Sequence, residues 1–165
     1  MELTASGVRF LLSPAALDAL VSLLALPAFR EARELTPADK EAGIAWLKEN
    51  GYLSQEGTEK PMLSRELAFM ITGLCAGKNA VLWQEKEKTC MIACRFEGIW
   101  LLCYRMRVGK WAITPYAEED AFRQELEERL SLVKKAQPVR RGQTEALPQS
   151  LSAAECIQLL HQKKE

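Results

Sequence analysis

Histidine is nearly missing from this chain: 165 residues hold one, His161, close to the C-terminus. Imidazole chemistry therefore has a single candidate, in a stretch that reads as the last helix. A cysteine nucleophile needs a nearby base, and His161 would have to fold back over a flexible connection to serve any of Cys75, Cys90, Cys94 or Cys103. No CxxC pair occurs among the five cysteines. Cys90 and Cys94 read as sharing one face of a strand, about 13 Å apart by strand rise, too far for one zinc ion. Small buried thiols are the expectation.

Phosphate cradles and nucleophile elbows are missing too: there is no GxxxxGK[ST], GxGxxG or GxSxG. Carboxylates gather only at Glu118–Asp120 and at Glu125, Glu127 and Glu128, the exposed face of a helix. A catalytic acid or base normally sits in an apolar cleft that shifts its pKa, and neither run points to one. The expectation is a protein that is not an enzyme, with no catalytic residue, no metal and no cofactor.

Long apolar runs are lacking as well; none nears the ~18–20 residues that span a bilayer. The opening MELTASGVRFLLSPAALDAL has neither the charged start nor the clean apolar core of a secretory signal. With an odd number of cysteines, this leads to the expectation of reduced thiols and a cytoplasmic location. Net charge is zero, 22 basic against 22 acidic residues, so there is no general pull toward nucleic acid or an anionic membrane. The balance is uneven: residues 61–116 carry 8 basic and 4 acidic groups, and the flanks are slightly acidic.

What is present is an apolar content of 48%, enough for a core. Residues 7–12 suit a short strand or the lead-in to a helix. Ser13-Pro14 reads as a cap with proline at the first helical position, followed by Leu17, Leu20, Val21 and Leu24 at helical spacing. Residues 28–35 are ambiguous between linker and helical turn. Thr36-Pro37 repeats the start, with Asp39 placed for a capping box and Asn50-Gly51 as the stop. Tyr52–Ser54 and Met62-Leu63 read as short extended pieces, and Ser64 caps a third helix with Leu67, Met70, Ile71 and Leu74 in one stripe. These parts predict a winged-helix-like N-terminal half over 1–77.

From residue 78 the period becomes two. Four strands follow, linked by short turns that include Glu97-Gly98, and an antiparallel meander is the simplest arrangement. Cys90, Ile92, Cys94 and Phe96 fall on one face of the second strand, Met91, Ala93 and Arg95 on the other. Both faces of the middle strands are apolar, so one must pack on helices and the other on more protein or a partner. An amphipathic helix with Phe122, Leu126, Leu130 and Val133 closes the domain. The expected class is α+β: a winged-helix-like half, a four-stranded meander over 78–135 and a long C-terminal helix, forming one domain over 1–135. Residues 136–150 read as a linker, and 151–165 as a short final helix capped by Ser152 and Glu155, either docked or free to recognise a partner.

The order LSPAALDALVSLLAL, WLKENGYLS, LSRELAFMITGLC, meander, amphipathic helix resembles the EspG-like proteins of type VII (ESX) secretion systems over about residues 3–135. The resemblance implies a cytosolic chaperone or adaptor that binds small helical secreted substrates and keeps them soluble for export. The second half of that family's repeated architecture has no counterpart here, and no site residue carries over. On the residues themselves, a partner helix would meet the aromatic sheet face and its turns: Trp83, Arg95, Trp100 and Tyr104. Two alternatives stand beside this. A winged-helix transcription regulator would touch DNA through Lys40, Lys48, Arg65 and Arg140; its helices lack the basic groups of a groove reader, so nucleic acid is not the expected partner. An immunity-type protein would bind one toxin.

Overall fold

A meander that is apolar on both faces needs two covers, and the chain supplies both. The computed structural model describes residues 2–4, 7–27, 36–54, 62–86, 88–107, 109–143 and 145–161, with side chains from Arg9 onward. Among these, the strands are β1 (Glu2–Thr4), β2 (Gly7–Leu12), β3 (Leu53–Ser54), β4 (Met62–Leu63), β5 (Asn79–Glu85), β6 (Lys88–Phe96), β7 (Ile99–Arg105), β8 (Trp111–Tyr116) and β9 (Gln137–Arg140). The helices are α1 (Pro14–Leu23), α2 (Pro37–Glu49), α3 (Arg65–Ala76), α4 (Glu119–Leu132) and α5 (Ala153–His161).

The main sheet is antiparallel, in the order β1-β2-β8-β7-β6-β5-β9. The expected meander is its centre, β5 to β8, yet the sheet does not stop there. β2 pairs with β8, Phe10 opposite Ile113, and β9 pairs with β5, Val81 opposite Arg140. The span expected as a linker thus opens with a strand. The class α+β holds, and four strands is a correction. Neither added pairing has a local signal, because each joins segments far apart in sequence.

The winged-helix-like grouping also needs correction. α1 packs on α2, while α3 lies on β6 and β7. α2 approaches closely because Gly43 has no side chain: a Cβ there would sit 2.6 Å from the Ala15 carbonyl oxygen. The three helices therefore form a layer over the sheet, each apolar stripe directed at strands or at its neighbour. Leu17 and Leu20 of α1 and Leu67 and Leu74 of α3 join Phe10, Leu12, Ile92, Cys94, Leu101, Cys103 and Ile113 in one core.

The opposite face carries the second core: Val81, Trp83, Met91, Ala93, Trp100, Leu102, Tyr104 and Tyr116, under Phe122 and Leu126 of α4 and Cys156, Ile157 and Leu160 of α5. The long C-terminal helix is thus α4, a cover of 14 residues, and it is not the end of the fold. α5 packs on α4, β5 and β6.

The caps read from the sequence form. Ser13 Oγ accepts the Ala16 N–H at 3.1 Å, and Ser64 Oγ that of Leu67 at 3.4 Å. Thr36 and Asp39 close a reciprocal box, as do Ser152 and Glu155. Gly51 ends α2 at φ +77°, a conformation that costs glycine little. Among the described residues no helix is long and apolar enough to cross a membrane.

Candidate functional site

An open cleft of about 800 Å³ lies at the end of the sheet where β6 turns into β7. Three strands lay its floor. Phe10 comes from β2, Ile99 from the start of β7 and Pro115 from the end of β8. α3 supplies one wall with Phe69 and Met70, and the turn after α2 supplies the other with Asn50, Gly51 and Tyr52. The sequence builds this turn locally: Gly51 reverses the chain, and Tyr52 drops onto Phe10 with ring centres 5.7 Å apart. Trp46 also stacks on Tyr52, with ring centres 5.8 Å apart, and the Tyr52 hydroxyl donates to the Leu11 carbonyl at 3.3 Å. Phe69 is held against Phe96 at 5.0 Å.

Ser64, Arg65 and Glu66 form the mouth, on the first turn of α3. Glu66's own backbone N–H and the Ser64 hydroxyl, 3.0 Å away, hold its carboxyl below the usual carboxylate range. One arginine and one carboxylate leave the rim electrically balanced. Such a cleft offers apolar contact at its floor and polar contact at its edge, the usual make-up of a binding site. Met62, two residues before the Ser64 cap, is 71% exposed.

The residues expected to meet a partner lie elsewhere and are covered. Trp83, Trp100 and Tyr104 are 1–3% exposed. Trp100 stacks on Phe122 of α4 at 5.0 Å and meets the His161 ring edge-on at 5.1 Å. Arg95 is half-buried; its guanidinium lies over Trp100, and its Nη1 is 2.8 Å from His161 Nδ1. His161 Nε2 reaches Glu119 of α4. His161, itself still exposed, therefore ties α5 to β6 and α4. The face expected to receive a partner helix is filled by α4 and α5, so three of the four named contact residues are core.

Of the basic residues considered for DNA, Arg140 is engaged, as is its neighbour Arg141. Arg140, 9% exposed, donates from Nη2 to the Leu159 carbonyl at 3.2 Å. Arg141 donates to the Leu74 and Gly77 carbonyls at the C-terminus of α3, where a cation offsets the helix dipole. Lys40, Lys48 and Arg65 remain on the helical layer, all three exposed.

Cys90 departs from the sequence reading in an instructive way. The pairing of β5 with β6 shifts between Trp83 and Gln84: Trp83 faces Met91, Gln84 faces Thr89, and Cys90 is the extra residue. This bulge turns Cys90 onto the face of Met91, with Cys94 left on the other. Its Sγ lies 3.3 Å from the Trp83 carbonyl. Cys94 and Cys156 are fully enclosed, and burial pushes both thiols up to about 12, so they stay protonated.

Sequence reasoning missed the cleft because its lining residues, from Phe10 to Pro115, read singly as core. Pro115 was the available hint: proline has no N–H to give the ladder and marks a place where a strand stops being central. Comparison with known protein families and with curated proteins finds no match to this chain.

Proposed function

We propose that this is a non-enzymatic protein-binding protein, a chaperone or adaptor that shelters an apolar helical segment of a small client in the cleft between α2 and α3. The observation that carries the reading is the open cleft itself. Its aromatic and aliphatic floor and charge-balanced rim suit the i, i+3, i+4 apolar side chains of an amphipathic helix, the helix-in-groove mode of recognition. The EspG-like resemblance supplies the setting: a cytoplasmic role with helical substrates of a type VII-like secretion system. The client site moves from the aromatic sheet face to the cleft, since α4 and α5 already occupy that face. An immunity-type role would use the same cleft for one toxin. The winged-helix DNA reading loses Arg140 to α5.

The test is co-expression with small helical proteins encoded near its gene, followed by titration of purified pairs. A client is expected to stay soluble only with this partner. Phe69→Asp and Ile99→Asp, both at half-buried positions, are expected to weaken binding by more than about tenfold, as loss of an apolar anchor does. Circular dichroism confirms that each variant is folded. Clients bound equally well by both folded variants would remove the cleft from the account.

A further inference from the structure

A second cleft, of about 460 Å³, lies at the opposite end of the sheet and has a different chemistry. The pairings Glu85 with Lys88, Arg105 with Trp111 and Gln84 with Gln137 place three chain segments at this end: the β5–β6 turn, the β7–β8 turn and the run from α4 into β9. Cys90, turned inward by the bulge, lines the cleft with Met106, Leu132 and Val133. Leu132 is 66% exposed although it belongs to the helix that covers the sheet. Arg105 and Arg107 stand on the rim, both exposed, and Arg129 lies at the side, 3.9 Å over the Tyr104 ring and paired with Glu125 at 3.2 Å.

The surrounding charge is of one dominant sign. Lys86, Lys88, Lys110, Lys134 and Lys135 are exposed on the same turns. The excess of basic residues in the middle of the sequence is thus gathered by the topology at one end of the sheet. Glu85 and Glu128 interrupt it, making a patch and not a continuous track.

We infer that this end is a docking surface for an acidic segment of a partner protein that carries an aliphatic side chain. The side chain enters beside Met106, Leu132 and Val133, and the flanking carboxylates meet Arg105 and Arg107. Charge complementarity selects an acidic partner, and the aliphatic lining selects a peptide over nucleic acid. A nucleic-acid groove offers rings on which bases stack, whereas Tyr104 is 3% exposed, with Arg129 over its face. An anionic membrane would meet little apolar surface here, with Leu132 the single strongly exposed apolar side chain on α4. The inference does not depend on the client cleft. Together the two surfaces would let one molecule hold a client at one end and an acidic docking segment at the other.

The probe is a fluorescent peptide with one leucine flanked by aspartates and glutamates, titrated against the intact protein at low and high salt. Binding is expected to weaken with salt. It is expected to fall by at least about tenfold in the double variant Arg105→Glu, Arg107→Glu and to fall in Leu132→Ser. It should be unchanged in Phe69→Asp and absent for a peptide with lysines in place of the acids. These substitutions sit on exposed or half-buried positions, and the thermal midpoint checks folding. No binding of the acidic peptide would overturn the inference, as would equal binding by the double variant or loss in Phe69→Asp. Tighter binding of a DNA duplex, or of phosphatidylserine vesicles, through the same arginines would overturn it in favour of that ligand.

Discussion

A chain cut after Ser150 is expected to lose its cooperative fold. α5 and the residue leading into it bury Leu151, Ala153, Cys156, Ile157 and Leu160 against the second core. The buried Leu151, Ile157 and Leu160 side chains alone contribute roughly 5–9 kcal/mol of apolar burial, an upper bound because unfolded chains are partly compact. Native domains are stable by about 5–15 kcal/mol, so the loss is comparable with the whole. The cut also uncovers Trp83 and Trp100, removes the His161 link to Arg95 and Glu119, and takes away the carbonyl that receives Arg140. The truncated protein should bind an apolar dye, lose near-ultraviolet dichroism and aggregate. A truncated chain with an unchanged melting temperature would mean that α5 is a free recognition helix.

Trp100→Ala is the point substitution expected to cost most, about 3–5 kcal/mol as for other buried aromatic truncations. The indole is 3% exposed and joins three layers of contact: Phe122 stacked above it, His161 on its edge and Arg95 over its face. Such aromatic pairs contribute about 0.5–1.5 kcal/mol beyond their burial. A drop of roughly 10 °C in the melting midpoint follows for a chain of this length. Had Trp100 been an exposed contact residue, the change would lie within about 0.5 kcal/mol. Urea titration of the variant separates the two outcomes.

The local grammar of this fold is legible in the sequence. Ser13-Pro14, Thr36-Pro37 with Asp39, Ser64, and Ser152 with Glu155 each announce a helix start that forms. The turn at Glu97-Gly98 forms with both residues at positive φ. The two-faced apolar pattern of β6 and β7 also announces correctly that two covers are needed. What it cannot say is whose. A nine-residue helix beyond a proline-containing stretch looks detachable, and only its packing on β5, β6 and α4 makes it part of the core.

The misses share one cause: they depend on pairs of distant segments. β9 is a four-residue strand containing Pro138, and it exists because the edge of β5 is there to pair with it. The bulge that turns Cys90 belongs to two strands at once. The winged-helix expectation took the right helices and gave them the wrong neighbours, since apolar stripes on α1 and α3 are equally suited to a three-helix core and to a sheet. The cleft follows the same logic. Phe10 and Pro115 lie 105 positions apart, and only strand order brings them to one floor.

The most direct test of the account is hydrogen exchange read by mass spectrometry, with and without a bound client. Protection is expected over residues 49–54 and 62–70, at the two walls of the cleft, with exchange in residues 153–161 unchanged. Faster exchange in 153–161 together with new protection in β5 to β7 would mean that the client displaces α5 and binds the aromatic sheet face, which would contradict it.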